Sequence, residues 1–207
     1  MSREPIVFVI DDDAAVREAI SSLLNSVNMA VEVFASVPDF LKKEIPDRPA
    51  CLVLDVRLPG MSGLEFQREL AHRDRPLSII FITGHGDIPM SVEAMKAGAF
   101  EFLTKPVRGQ VLLDAIHKAI EQNRATLDDL AKTTVLRNRF ATLTRREREV
   151  MHLVDAGLMN KQVAAQLGAS ERTVKIHRAQ VMRKMEAESL PDLVRMAQKL
   201  GVPAQRC

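Results

Sequence analysis

A chain of 207 residues with 46% hydrophobic residues and no Trp or Tyr can hold one large domain or two small ones. No apolar run approaches the ~20 residues that span a bilayer, "MSREPIVF" lacks the pattern of a secretory signal, and two cysteines (Cys51 within an apolar run and Cys207 at the last position) make no disulfide framework. The sequence therefore predicts a cytoplasmic protein with no membrane segment. The net charge of +2 hides an asymmetry: residues 1–107 carry 11 Lys+Arg against 16 Asp+Glu, whereas residues 108–207 carry 18 against 11. Such a split suggests two jobs, with the basic half a candidate for nucleic acid.

The first half alternates between apolar runs and amphipathic stretches. The runs "IVFVI" (6–10), "VEVF" (31–34), "CLVLDV" (51–56), "SIIFIT" (78–83) and "FEFL" (100–103) read as buried strands. Between them, Val16, Ile20, Leu23, Leu24 and Val27 share a helical face, as do Leu64, Phe66 and Leu70, and then Ile88, Val92, Met95 and Ala99. Continuous apolar strands alternating with helices predict a parallel sheet covered on both faces. The expected fold class is α/β, a doubly wound five-stranded sheet whose sites form at the C-terminal strand ends.

From Arg108 to Ala156 there is one Gly, at 109, and no Pro. Ile116, Ile120, Asn123, Leu127 and Leu130 recur at intervals of four and three within it. The pattern predicts a long helix, which is either a coiled-coil seam with a register-setting Asn or a linker helix resting on its own domain. Thr144 with Glu147 then forms a capping-box signature before "RREREVMHLVDAG". "NKQVAAQLG" closes at Gly168, "ASERTVKIHRAQVMRKM" starts at Ser170 and "SLPDLVRMAQKLG" at Ser189, so the chain is expected to finish in an all-α bundle of four short helices.

The strand ends carry the chemistry. The first strand runs into Asp11, Asp12 and Asp13, of which Asp13 suits a helix cap. The third ends at Asp55, the fourth at Thr83 and the fifth near Lys105. In a parallel sheet these ends converge, giving three carboxylates, a hydroxyl and an ammonium. Carboxylates without His or Cys suit a hard cation such as Mg²⁺. His85 lies beside Thr83 but has no second soft ligand, so it reads as a loop residue. A carboxylate such as Asp55 is a competent nucleophile toward a phosphoryl group, and a cation with Lys105 can neutralise the transferred charge.

In this order, these residues resemble the receiver domains of two-component response regulators, over residues 5–120. "GMSGLEF" and "ITGHGDIPMSVEAMKAGAFEFLTKP" are similar to the FixJ/NarL type. The resemblance implies Asp55 as phospho-acceptor, Asp11 and Asp12 as the acidic pocket, and Mg²⁺ held by Asp12, Asp55 and the backbone carbonyl of Arg57. It implies Lys105 as the phosphate-sensing cation before a cis bond to Pro106, and Thr83 with Phe102 as a switch pair.

The stretch Leu143 to Met185 resembles the LuxR-type helix-turn-helix module, through Glu147, Gly157, Asn160, Lys161, Ala164, Leu167, Ser170, Thr173, Val174, Lys175, His177 and Lys184. Residues 171–185 carry Arg172, Lys175, Arg178, Arg183 and Lys184 against Glu171, and Val174, Val181 and Met185 are spaced for the module's own core. A helix-turn-helix places its second helix in the major groove. The resemblance implies Lys175, Ile176, Arg178 and Ala179 at base edges, Thr173, Arg183, Lys184 and Lys161 at phosphates, and His177 as structural. The last helix, with Leu190, Leu193, Val194 and Ala197 on one stripe, either dimerises or completes the module's core.

The expected organisation is a receiver at 1–120, a helical linker at 121–140 and a DNA-binding domain at 141–207. The expected function is a phosphorylation-switched transcription regulator, an activator by family expectation. Its partners would be a sensor histidine kinase, double-stranded DNA, RNA polymerase and a second copy of the chain when phosphorylated. The rival is a Mg²⁺-dependent phosphatase of the haloacid dehalogenase kind fused to the DNA-binding module, because "DDDAA" contains Asp-x-Asp; that family wants Thr or Val where Ala15 stands. A small-molecule-sensing LuxR regulator is a third reading, disfavoured by the lack of Trp and Tyr for a ligand pocket.

Overall fold

The computed structural model describes residues 4–70, 76–84 and 88–201, so His85 and Cys207 lie outside the described residues. The chain divides into two compact units, Met1–Asp128 and Asp129–Cys207. No helix among the described residues is long and apolar enough to cross a membrane.

The first unit is a five-stranded sheet of β1 (Ile6–Ile10), β2 (Ala30–Phe34), β3 (Ala50–Asp55), β4 (Ser78–Thr83) and β5 (Glu101–Thr104). The strand order is β2-β1-β3-β4-β5 and every pairing is parallel. Helices α1 (Ala14–Ser26), α2 (Val37–Leu41), α3 (Gly63–Leu70) and α4 (Ile88–Lys96) connect the strands, and α5 (Gly109–Ala141) follows β5. The central strands β1 and β3 are buried along their whole length, as their uninterrupted apolar runs require of a sheet covered on both faces. Alternate residues feed two cores. Phe8, Leu52, Phe66 and Phe81 lie in one; Val7, Cys51, Ile80, Leu24 and Ile116 lie in the other.

One sequence reading changes here, and one left open is decided. The face of α4 expected to cover the sheet is turned outward: Ile88 is 79% exposed, and Val92 and Met95 are exposed with it. Ala94 and Met90 contact the core instead, along with Ala99. This helix is apolar on more than one side, so its periodicity admits two orientations, and the close sheet surface takes the smaller Ala94. Asn123 is no coiled-coil register residue. It is 2% exposed, its side-chain oxygen accepts from the Ala50 amide at 2.9 Å, and its amide donates to the Pro76 carbonyl at 2.8 Å. With Ile116 and Ile120 also buried in the first unit's core, this stretch of helix rests on its own domain.

The second unit takes the C-terminal part of α5 and then α6 (Arg145–Asp155), α7 (Asn160–Leu167), α8 (Glu171–Met185) and α9 (Leu190–Lys199). Its start is not the end of α5, because Leu136 is buried with Leu143, Val150, Val163, Val174, Val181 and Met185 in this unit's core. Hydroxyl caps set the helix starts: Thr144, Ser170 and Ser189 each accept from the backbone amide three residues on. Gly168 closes α7 in the left-handed region, at φ 60°. Of the final stripe, Leu193 and Ala197 are in the core, Val194 is half-buried and Leu190 is exposed.

Candidate functional site

The first site follows from strand register. Ile10 pairs with Leu54, so the next residues, Asp11 and Asp55, emerge side by side from β1 and β3. Asp55 pairs with Ile82 and Thr83 with Thr104, which brings Thr83 and then Lys105 to the same edge. The Lys105 amide also donates to the Thr83 carbonyl at 2.7 Å, and the Lys105–Pro106 peptide is cis, as the resemblance implied. Asp11 and Thr83 are fully buried, Asp55 is 6% exposed, and Asp12 is open to solvent.

Lys105 Nζ donates to Asp11 Oδ2 and to Asp55 Oδ2, each at 2.7 Å. The backbone supplies further donors: the Asp13 amide to Asp11 Oδ1 and the Arg57 amide to Asp55 Oδ1, both at 3.0 Å. Burial pushes the Asp11 carboxyl above its ordinary range. The Lys105 ammonium and the Asp13 amide oppose that rise, and the nearby Asp55 charge adds to it. Burial works against the Lys105 charge, but its bonds to Asp11 and Asp55 outweigh it and raise the ammonium above the ordinary lysine value. Asp13 caps α1, accepting from the Ala15 amide at 2.8 Å.

Two residues that the sequence reading passed over build this pocket. Arg17 Nη1 donates to the carbonyls of Asp11 and Asp12, at 2.7 and 2.9 Å, and so ties the loop carrying both acids to the first turn of α1. Its only signal was a cation six residues past Asp11. Gly63 opens α3 against the end of β3, where a Cβ would lie 2.4 Å from the Asp55 carbonyl oxygen. Only glycine permits that approach.

One carboxylate oxygen from each of Asp11, Asp12 and Asp55 can be chosen so that all lie within 4.8 Å of one another. Hard oxygen donors on a partly open rim fit Mg²⁺ rather than a thiophilic metal. Phe102 is half-buried beside this edge of the sheet, its ring centroid 6.2 Å from that of Phe81.

The second site is a surface. On α8 the core takes Val174, Val181 and Met185. At about 100° per residue, the opposite face presents Arg172, Lys175, Ile176, Ala179 and Arg183, all of them exposed. Thr173 and Lys161 are exposed on its flank and at the start of α7, and His177 is half-buried.

Arg178 and Lys184 stand apart from this face. Arg178 is half-buried and its guanidinium donates to Asn160 Oδ1 of α7 at 3.0 Å. Lys184 Nζ donates to Glu147 Oε2 at 2.6 Å and to the Thr142 carbonyl at 3.2 Å. Glu147 is 5% exposed and closes the α6 capping box by accepting from the Thr144 amide at 2.7 Å. Its burial would favour the neutral acid, but the Lys184 and Thr144 hydrogen bonds prevail and hold its carboxyl below the ordinary glutamate range. Arg178 and Lys184 thus join helices within the module.

Comparison with known proteins matches residues 7–117 to the response regulator receiver domain and residues 141–197 to the bacterial regulatory proteins of the luxR family. Nodulation protein W of Bradyrhizobium diazoefficiens is 52% identical over 203 residues, covering 98% of this chain and 89% of that protein. The transcriptional regulatory protein FixJ of Rhizobium meliloti is 45% identical over 191 residues, covering 92% and 94%. Among solved structures, the response regulator StyR is similar with a TM-score of 0.80 at 47% identity, over 95% of this chain and 100% of that one.

Proposed function

This chain belongs to the response regulators that join a receiver domain to a luxR-family DNA-binding module, and on that premise we propose that Asp55 is the residue through which phosphorylation controls its binding to DNA. It is a transcription regulator of a two-component system, not an enzyme, and the phosphatase reading falls away. The observation that carries the proposal is the convergence of Asp11, Asp12, Asp55 and Lys105 on one edge of the sheet.

A carboxylate oxygen of Asp55 attacks the phosphorus of a phosphohistidine on the kinase. An O–P bond forms, the P–N bond breaks, and the imidazole leaves with the electron pair. Mg²⁺ would be held by Asp12, Asp55 and the Arg57 carbonyl, and would neutralise charge on the transferring group. Once Asp55 carries the phosphoryl group as an acyl phosphate, the Lys105 ammonium loses one of its two carboxylate partners and turns to a phosphoryl oxygen. The Thr83 hydroxyl donates to another oxygen, and Phe102 moves into the space that Thr83 leaves. These contacts exist only in the phosphorylated form, so they shift the population toward the active conformation.

We assign the receiver to residues 1–120 and the DNA-binding domain to 141–207, with the 121–140 stretch of α5 between them resting on the first unit through Asn123 and on the second through Leu136. The active form is a homodimer on double-stranded DNA. Lys175, Ile176, Arg178 and Ala179 face base edges, and Lys161, Thr173, Arg183 and Lys184 meet phosphates, Arg178 and Lys184 exchanging their partners within the module for DNA.

Incubation with a small acyl phosphate and Mg²⁺, followed by intact mass measurement, tests the acceptor. The expected result is one phosphoryl adduct on the wild type and none on Asp55→Asn, with phosphate-dependent DNA binding lost in the variant. An equal adduct on both proteins would overturn the assignment.

A further inference from the structure

Of the described residues of α5 that are buried, Asn123 alone is polar. It follows Ile116, Ala119 and Ile120, which pack in the core on one side of the sheet. What its amide joins is set by strand register. Leu52 pairs with Ile79 in the parallel ladder of β3 and β4, and one rung lower the same ladder would bring the Ala50 amide to the Pro76 carbonyl. The Asn123 side chain stands in that rung instead. Its Oδ1 accepts from the Ala50 amide at 2.9 Å and its Nδ2 donates to the Pro76 carbonyl at 2.8 Å. β3 and β4 are also the strands that end at Asp55 and Thr83. One side chain of α5 therefore bridges the starts of the two strands whose far ends carry the proposed acceptor and its switch hydroxyl.

Apolar contact is non-directional, so Ile116 and Ile120 alone would let α5 turn or slide against the sheet at small cost. The Asn123 amide has one satisfied seat, and a shift of the helix leaves a buried amide and a half-buried carbonyl unpaired. A buried polar residue of this kind can fix the register of a helix on its neighbours. α5 is one helix from Gly109 to Ala141, and Leu136 near its end lies in the core of the second unit. We propose that Asn123 is a positioning residue that ties α5 to β3 and β4 and so passes a change at Asp55 on to the DNA-binding unit. The inference rests on Asp55 being the acceptor that controls DNA binding, and it names the residue through which that control leaves the receiver. With Asn123 in place, a change in how β3 and β4 stand reaches α5 through two directional bonds. Without it, α5 keeps only contacts that give way.

The full-length chain tests this with a duplex enriched by in vitro selection on the wild type treated with acyl phosphate and Mg²⁺. For each protein the rate of adduct formation, the melting temperature and the affinity for that duplex with and without acyl phosphate are measured. For the wild type the two affinities should differ by about tenfold, within the usual span of coupling between sites. Asn123→Ala should take the phosphoryl group at the wild-type rate while the ratio of affinities falls to about twofold or less. Asn123→Ser, which keeps a hydroxyl and room for a bridging water, should fall between the two and takes the place of the alanine variant if that one does not fold. A lower melting temperature with an unchanged ratio would mean that Asn123 is scaffold only, overturning the inference and leaving the acceptor assignment standing. Loss of adduct formation in both variants would overturn it as well, since Asn123 would then serve the receiver's own fold. A wild type whose affinity ignores acyl phosphate would overturn the phosphorylation reading and the inference with it.

Discussion

The two units use charge in opposite ways. In the receiver unit the half-buried Lys105 pairs with the buried Asp11 and Asp55 where the strand ends converge. In the DNA-binding unit the half-buried Lys184 pairs with the buried Glu147 and joins α6 to α8, while other cations of α8 stay exposed, the ones proposed to meet DNA. On the proposed function, a paired charge in the first unit marks a site waiting for a change of partner. A paired charge in the second also joins two helices of the module. The difference lies in what each must bind: a small dianion that enters a pocket, or a polyanion that lies along a surface.

The sharpest way to break the comparison is to remove Lys105. Lys105→Ala should slow adduct formation from acyl phosphate by on the order of a hundredfold, as expected when one preorganised donor to a transferring group is lost. Time-resolved intact mass would show it, and an unchanged rate would mean that Lys105 is scaffold after all. Arg17→Ala touches the same pocket at one remove, through the loop of Asp11 and Asp12. It should raise the Mg²⁺ concentration needed for half-saturation about tenfold, the usual scale for an outer-shell partner. Backbone NMR shifts during a Mg²⁺ titration report that directly, and Arg17→Lys should recover part of the loss.

Neutralising a carboxylate should then have opposite signs in the two units. Asp11 is held above its ordinary range by burial, so its charge works against folding, and Asp11→Asn should raise the receiver's melting temperature near neutral pH by a few degrees. The gain should shrink as pH falls through the carboxylate range, because wild-type Asp11 then takes up a proton of its own. Glu147 is held below its range, so its contribution is present above the ordinary glutamate value and is lost as pH falls through the depressed folded value. Glu147→Gln should lower the second unit's melting temperature by on the order of 5 °C near pH 7, and by less in acid. Hydrogen exchange followed separately in the two units would check both signs, and matching signs would dissolve the contrast. The smallest effect belongs to an exposed cation. Arg183→Ala should weaken binding evenly across sequences and reduce the slope of log affinity against log salt by about one.

Much of this was legible in local sequence. The alternation of apolar runs and helical faces located all five strands within one or two residues, because strand burial leaves its mark on every residue of the run. The caps at Thr144, Ser170 and Ser189 were readable because a cap involves residues three apart. Helix α4 was less legible, since a helix apolar on several sides carries no unique face. Arg17 escaped notice because its partners are backbone carbonyls, which have no sequence signature.

By itself, then, the sequence determined the order of elements, the strand ends that bear Asp11, Asp55 and Thr83, and the resemblance to two regulatory families. Those depend on interactions within a turn or a strand. The tertiary structure alone decided which charges are partnered. Lys105 meets Asp11 across 94 residues and Asp55 across 50, and Lys184 meets Glu147 across 37. Such pairings arise from strand register and helix packing, which bring together residues whose local patterns carry no trace of each other. The same packing turned Arg178 toward Asn160 and left Arg172, Ile176, Ala179 and Arg183 on the outward face.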